Sequence, residues 1–491
     1  MGIIGRQAIK STIYVYFGVL IGFVLRAQLF PNFLTESQIG ILALLVSYSS
    51  IYAQVALLGF NHGAIKYFPF FRDSKSGHQG FLLLYLLIAL GGFLIFLVLQ
   101  KVVFNLAYSS QDTAVFAQYY YLCIPMTLGL LAFMLFDNYN TILYNASTGV
   151  LLREFGLRVL MIIFFVPLMQ QWMSFDQYAW LYVGSFIIIA LLMMGFVGWR
   201  GELQLKPTPK LWEGKLLKAM ALISGFGFIT GLNNVLILQV NNILIDQYYD
   251  EALTGIYVTN FFFAALILMP SRGLNKIAPT IISDAFKNND LKIIHGVQYK
   301  STINQFMIAL LIFMGLMINL DHVYEILPES FAIGMWVIVF TGIANLVQML
   351  GGVSSAIIGF SNHYRYNTLL SVIQLVVLIA VNLIALPKWG ITGAAVANLA
   401  AIVVLNVLKF LFLKQRFKIQ PYSFKHVLIV IVALLCWGIN ALLPELSNLY
   451  LDILYRSLIF TLVYGILNYF LKISRDMNNT INKTLQKLRI W

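Results

Sequence analysis

One arginine stands inside an otherwise uncharged stretch. Residues 11–30, STIYVYFGVLIGFVLRAQLF, carry a single charge, Arg26. The stretch has about the ~20 residues a helix needs to cross a bilayer core. A cation inside such a span costs roughly 2.5–3.5 kcal/mol on insertion scales, so intramembrane cations usually face a polar cavity. At ~1.5 Å per residue, Arg26 lies roughly 22 Å along the helix from Ser11. At regular helical spacing Gly22 falls one turn below on nearly the same face, which predicts open space beside the guanidinium. Two readings stand. Arg26 lines a cavity and holds an anionic substrate group, or it snorkels to head groups near Pro31.

Further polar residues are spaced as if to share a face. In the seventh span Thr230, Asn234 and Asn241 fall within about 40° of arc at ~100° per residue. Asn233, Gln239 and Asn242 add amides. Such a face lines a cavity, or it bonds a neighbouring helix at an average of ~0.6 kcal/mol per bond. The fifth span opens on Arg153, Glu154 and Arg158. Glu154 and Arg158 are spaced to pair on a helix. Alternatively Arg153 or Arg158 meets a phosphate at the cytoplasmic mouth, because the guanidinium fork matches phosphate oxygens. Asp137 ends the fourth span, where it either couples to a proton or sodium ion or caps a helix.

Other chemistry finds no support. There is no HExxH, Walker A or GxSxG pattern. The six histidines are scattered. Cys123 and Cys436 lie in apolar runs, read as packing residues with neither metal spacing nor a disulfide framework. No enzyme, metal or cofactor is therefore predicted.

The elements that position these residues follow from composition. The chain is 60% hydrophobic and 10% charged over 491 residues, whereas a soluble domain carries about 25% charged residues. This predicts an all-α, polytopic integral membrane protein. About fourteen spans are read, at 11–30, 39–60, 80–99, 115–136, 148–169, 177–197, 219–241, 253–270, 300–319, 331–359, 366–386, 391–412, 426–444 and 451–471. No alternating strand pattern competes.

With both termini cytoplasmic, the charges sort by side. Of the 32 Lys+Arg, all but Arg26, Lys101, Lys388 and Arg456 fall at cytoplasmic ends and loops, as the positive-inside rule demands. Acids such as Glu36, Asp112, Asp246, Glu251 and Asp452 fall outside. The net charge of +13 thus reads as topology and attraction to anionic lipid, not as a nucleic-acid surface.

Residues 201–218, with two prolines, read as a cytoplasmic linker between lobes at 1–200 (spans one to six) and 219–418 (spans seven to twelve). A shift of 215 residues lays Glu36–Ile41 on Glu251–Ile256 and Arg26 on Asn241. Six spans per lobe give both lobes one orientation, the pattern of parallel repeats with a substrate site between them. Spans thirteen and fourteen occupy 419–471. In the tail, 472–491, Ile481, Leu485, Leu488 and Trp491 share a stripe that suits a short interfacial helix. The glycine pairs Gly18/Gly22 and Gly227/Gly231 read as helix contacts.

Four segments carry a family resemblance: LTESQIGILALL at 34–45, LGFNHGAIKYFP at 58–69, MPSRGLNKIAPTIISDAF at 269–286 and PKWGITGAAVANLAA at 387–401. In order and spacing they resemble the oligosaccharide and polysaccharide flippases of the multidrug/oligosaccharidyl-lipid/polysaccharide exporter (MOP) superfamily. The resemblance implies a V-shaped, two-lobe transporter with alternating access in the bacterial plasma membrane. The implied cargo is a polyprenyl-diphosphate-linked oligosaccharide, moved to the outer leaflet for surface polysaccharide of the lipopolysaccharide O-antigen kind. Glycan-assembly proteins are the implied further partners. In the related lipid II flippases a first-span arginine lines the cavity and meets the diphosphate, and Arg26 matches it. Those relatives carry several cavity arginines, whereas the sequence reads as offering one well inside the core, which argues against lipid II.

A diphosphate and its sugars need a polar path, because each unsatisfied polar group in hydrocarbon costs several kcal/mol. A lipid-linked oligosaccharide flippase is therefore the expected function. A cation-coupled multidrug exporter of the same superfamily and a membrane glycan polymerase or glycosyltransferase are the rivals.

Overall fold

The computed structural model describes residues 3–73, 76–108, 114–206 and 214–487. The described elements are helices joined by turns, with no strand among them. Contacts divide the chain into two units, 1–258 and 259–491.

The first unit holds α1 (Ile3–Phe23), α2 (Glu36–Ala56), α3 (Phe81–Tyr108), α4 (Cys123–Ile142), α5 (Leu157–Met169), α6 (Phe175–Trp199), α7 (Gly214–Tyr248) and the start of α8 (Glu251–Ala265). The ends of α2 and α6 follow from sequence. Thr35 Oγ1 accepts from the Gln38 backbone while Gln38 Oε1 accepts from the Thr35 backbone, and Ser174 and Gln177 do the same. Each pair satisfies two otherwise orphaned N–H groups.

Small residues set the helix spacing. A methyl group at Gly227 would stand 2.7 Å from His62 Cβ, and one at Gly231 would run into the Gln54 amide. The pair predicted as a helix contact is the seam between α7 and the α2 region. Cys123 is buried and free, as a packing residue should be.

The second unit begins within α8. It contains α9 (Met269–Lys287), α10 (Leu291–Ile318), α11 (Met335–Leu350), α12 (Tyr364–Phe417), α13 (Phe424–Ala441), α14 (Leu449–Phe470) and α15 (Arg475–Lys487). One core joins Phe306, Phe313 and Met349 to Cys436, Phe460 and Tyr464, so the last two spans pack on α10 and α11. Another joins Ile282 and Ile294 to Ile357, Leu370 and Phe412. The tail helix α15 is held by Lys300 Nζ–Asp476 Oδ1 (3.1 Å) and Tyr469–Asn482 (2.6 Å). Leu488 and Trp491 of its predicted stripe lie outside the described residues, as do the linker prolines at 207 and 209.

Twelve described helices are long and apolar enough to cross a bilayer, against about fourteen expected. Two stretches make the difference. The expected fifth span is three joined segments, Ser147–Val150, Leu151–Gly156 and Leu157–Met169, the middle one π-helical. The expected eleventh and twelfth spans are both within α12, whose 54 residues would be about 81 Å long if straight. They are not straight. Gly390 has φ 58° and ψ −143°, and the Tyr366 and Phe412 rings stack with centroids 4.3 Å apart. The chain turns back at Gly390 and its two halves pack together.

Candidate functional site

Arg26 does not lie in a regular α-helix. Residues Val24–Leu29 form a π-helical turn, closed by the Phe30 N–H bonding to the Leu25 carbonyl. Pro31 follows. Proline lacks an N–H and its ring crowds the carbonyl four residues earlier, which is Ala27 in this turn. A widened turn relieves that crowding, and such turns gather at functional sites. The Arg26 side chain is exposed and near enough to the Tyr182 hydroxyl to act on it electrostatically.

A second π-helical turn, Leu151–Gly156, carries Arg153 and Glu154. These are the two π-turns among the described residues, and the second packs on α1. A methyl at Gly18 would run into the Glu154 carbonyl. One at Gly22 would stand 3.1 Å from Arg158 Nε and 3.2 Å from Cζ. Both contacts advance by four residues in step, so α1 and the helix of residues 147–169 run parallel here. The atoms nearest the open face of Gly22 are those of Arg158.

Arg158 is deeper than the sequence reading placed it. Its helix begins at Ser147 and ends at Met169, so Arg158 is near mid-length rather than at a mouth. Its Nη2 pairs with Glu154 Oε2 at 3.1 Å, both side chains about one-quarter exposed. Asp137 packs its carboxylate over Gly149 in the first turn of the same helix, within electrostatic reach of the exposed Arg153. Arg153, Glu154, Arg158 and Asp137 thus gather along the helix of residues 147–169, and Arg26 follows Gly22 by four residues on the chain beside it.

The residues of the predicted amide face of α7 have different surroundings. Thr230 Oγ1 donates to its own helix at the Phe226 carbonyl, 3.1 Å away. Asn234 is exposed. Asn241 is buried and donates to Tyr257 Oη at 2.8 Å. Deeper along the same helix, Gln239 Oε1 accepts from Ser47 Oγ at 2.8 Å and Asn242 Nδ2 donates to Ser47 Oγ at 2.9 Å. These bonds join α7 to α2.

The sequence reading missed Asp246. It stood as an outer acid beyond a span ending near residue 241, but α7 continues to Tyr248 and leaves Asp246 4% exposed. The cluster of Asn241, Asn242 and Gln247 around it was the available signal that the helix continues in polar company.

No family model and no curated protein matches the sequence. Solved structures do. The first is a lipid II flippase MurJ in an inward closed conformation, with TM-score 0.73 and 14% identity over 96% of this chain and 99% of that one. MATE family multidrug resistance transporters of the MOP superfamily follow. The inward-facing form has TM-score 0.61 and the outward-facing form 0.59, each at 13% identity over 85% of this chain and 95% and 96% of theirs. The chain has the MOP transporter fold. Both MOP neighbours are transporters rather than enzymes. The MurJ match covers more of this chain than either MATE match does.

Proposed function

We propose that this protein flips a polyprenyl-diphosphate-linked oligosaccharide from the cytoplasmic to the outer leaflet of the bacterial plasma membrane by alternating access. The carrying observation is the parallel seam between α1 and the helix of residues 147–169, which puts Arg158 against Gly22, four residues before Arg26. Two forked guanidinium groups, Arg26 just beyond α1 and Arg158 on the helix packed beside α1, suit the two phosphates of a diphosphate. Glu154 holds Arg158 in place between substrates, and Arg153 stands at the cytoplasmic entry. Thr230, Asn234 and Asn241 are assigned to the sugars, with Asn234 the accessible member. Asp137 serves the base of the seam, within electrostatic reach of Arg153. A proton or sodium ion supplies the drive.

In this reading residues 1–200 and 219–418 are the moving lobes and 201–218 the cytoplasmic linker. The helices of 419–471 are an accessory pair and 472–491 lies on anionic inner-leaflet lipid. Both termini are cytoplasmic, as the positive charges require. The multidrug exporter reading draws on the MATE likeness. It does not explain paired arginines, which repel cationic drugs.

The test is reconstitution in vesicles with a fluorescent polyprenyl-diphosphate oligosaccharide and, separately, a cationic drug. Protein-dependent exposure of the glycan lipid on the opposite leaflet is expected. Drug movement without glycan-lipid movement overturns the proposal.

A further inference from the structure

A buried acid with no role in the arginine seam lies at the far end of α7. Asp246 Oδ2 accepts from Tyr108 Oη at 2.5 Å and from Gln247 Nε2 at 3.3 Å. Tyr108 Oη lies 3.1 Å from Tyr48 Oη on α2. Both tyrosines are 4% exposed, and the Tyr48 ring stacks on Phe116 at 5.6 Å. Among the described residues, the charged groups acting on Asp246 are Asp250 and Glu251, both acidic. Glu251 itself accepts from Ser37 Oγ at 2.8 Å. An isolated ionised carboxyl is expensive to bury without a cation, and an intramembrane acid marks a functional site by default.

We infer that Asp246 is a proton-binding site that locks the outer end of the first unit. With the proton bound, the neutral carboxyl stays buried against Tyr108 and Tyr48, and α7 stays seated on α2 and α3. With the proton lost to the outer solution, the negative charge draws in water and α7 parts from them. The proton adds to a carboxylate oxygen and leaves from it, and no other bond changes. The inference rests on the alternating-access reading, in which this end opens outward.

The test follows Ser47, one turn deeper and fully buried between Gln239 and Asn242. In right-side-out vesicles, with Cys123→Ala and Cys436→Ala as background, a Ser47→Cys chain is labelled by a membrane-impermeant thiol reagent across a pH series. Its rate is normalised to a Tyr249→Cys chain, exposed at the same end. The normalised rate is expected to rise with pH, by up to about tenfold per unit where a single proton is released. Asp246→Asn, which stays neutral, is expected to hold the low-pH rate throughout. Tyr108→Phe removes the donor that favours the charged form, so its rise should extend to higher pH. A pH dependence kept in Asp246→Asn overturns the inference. So does an unchanged profile in Tyr108→Phe, the deciding arm if Asp246→Asn does not fold. Labelling that proceeds without pH dependence in the parent chain overturns the proton site alone. No labelling at any pH overturns outward opening itself, and the proton lock with it.

Discussion

Arg158 lies across Gly22, its Nε 3.1 Å from where any larger residue would begin. The guanidinium occupies a notch that exists because α1 lacks a side chain there. Gly22→Leu should therefore displace Arg158 and abolish glycan-lipid movement while Arg158 and Glu154 remain in the chain. Gly22→Ala, which asks the guanidinium to shift by a few tenths of an ångström, should retain part of it. Vesicle flipping rates at matched protein level check both.

Arg26→Ala and Arg158→Ala should each cut transport by about ten- to a hundredfold, the equivalent of a charged hydrogen bond worth ~1.5–3 kcal/mol. Arg158→Lys should rescue poorly, because an ammonium lacks the fork. Surface glycan accumulation in cells carrying each variant, with protein level measured alongside, is the readout. Normal accumulation in both alanine variants would remove the seam from the mechanism.

Gly40 and Gly255, related by the 215-residue shift, press on each other reciprocally. A methyl at Gly40 would stand 3.1 Å from Gly255 N, and one at Gly255 would stand 2.9 Å from Gly40 N. The methyl at Gly40 also runs into the Glu251 carbonyl and that at Gly255 into the Glu36 carbonyl, so the contact has a local two-fold character. Gly40→Ala or Gly255→Ala should destabilise this contact by ~1–3 kcal/mol through overpacking. Both should speed Ser47→Cys labelling at every pH.

In the second unit Asp452, 1% exposed, accepts from Arg456 Nε at 2.6 Å and from Leu446 N at 3.0 Å, with His322 Nε2 at 2.9 Å. Asp452→Ala leaves Arg456 buried without this partner. Loss of one member of a buried ion pair costs on the order of 3–5 kcal/mol, so a clear fall in melting temperature is expected. Asp452→Asn, which keeps a hydrogen-bond acceptor, should fall less. Thermal unfolding in detergent measures both.

Gly390→Ala should cost ~1–3 kcal/mol, because φ 58° with ψ −143° suits glycine alone. The same thermal unfolding applies. An unchanged melting temperature would mean that the reversal at this point is tolerated by other residues.

Composition and charge placement alone determined that this is a helical membrane protein. They also located nearly every span, because burial in lipid forces long apolar runs that no tertiary contact can disguise. The glycine pairs were legible as helix contacts for a similar reason: spacing by four puts both residues on one face. Arg26 was legible as a rare charge. What it stands beside was not. The atoms nearest Gly22 are those of Arg158, whose helix packs in parallel beside α1, a neighbour that no spacing within the first span could show. The depth of Arg158 and the burial of Asp246 were likewise hidden, because a charge lowers local hydropathy whether or not a partner has satisfied it. Only the tertiary structure supplies those partners, Glu154 for one and Tyr108 for the other, since both depend on which helices lie side by side.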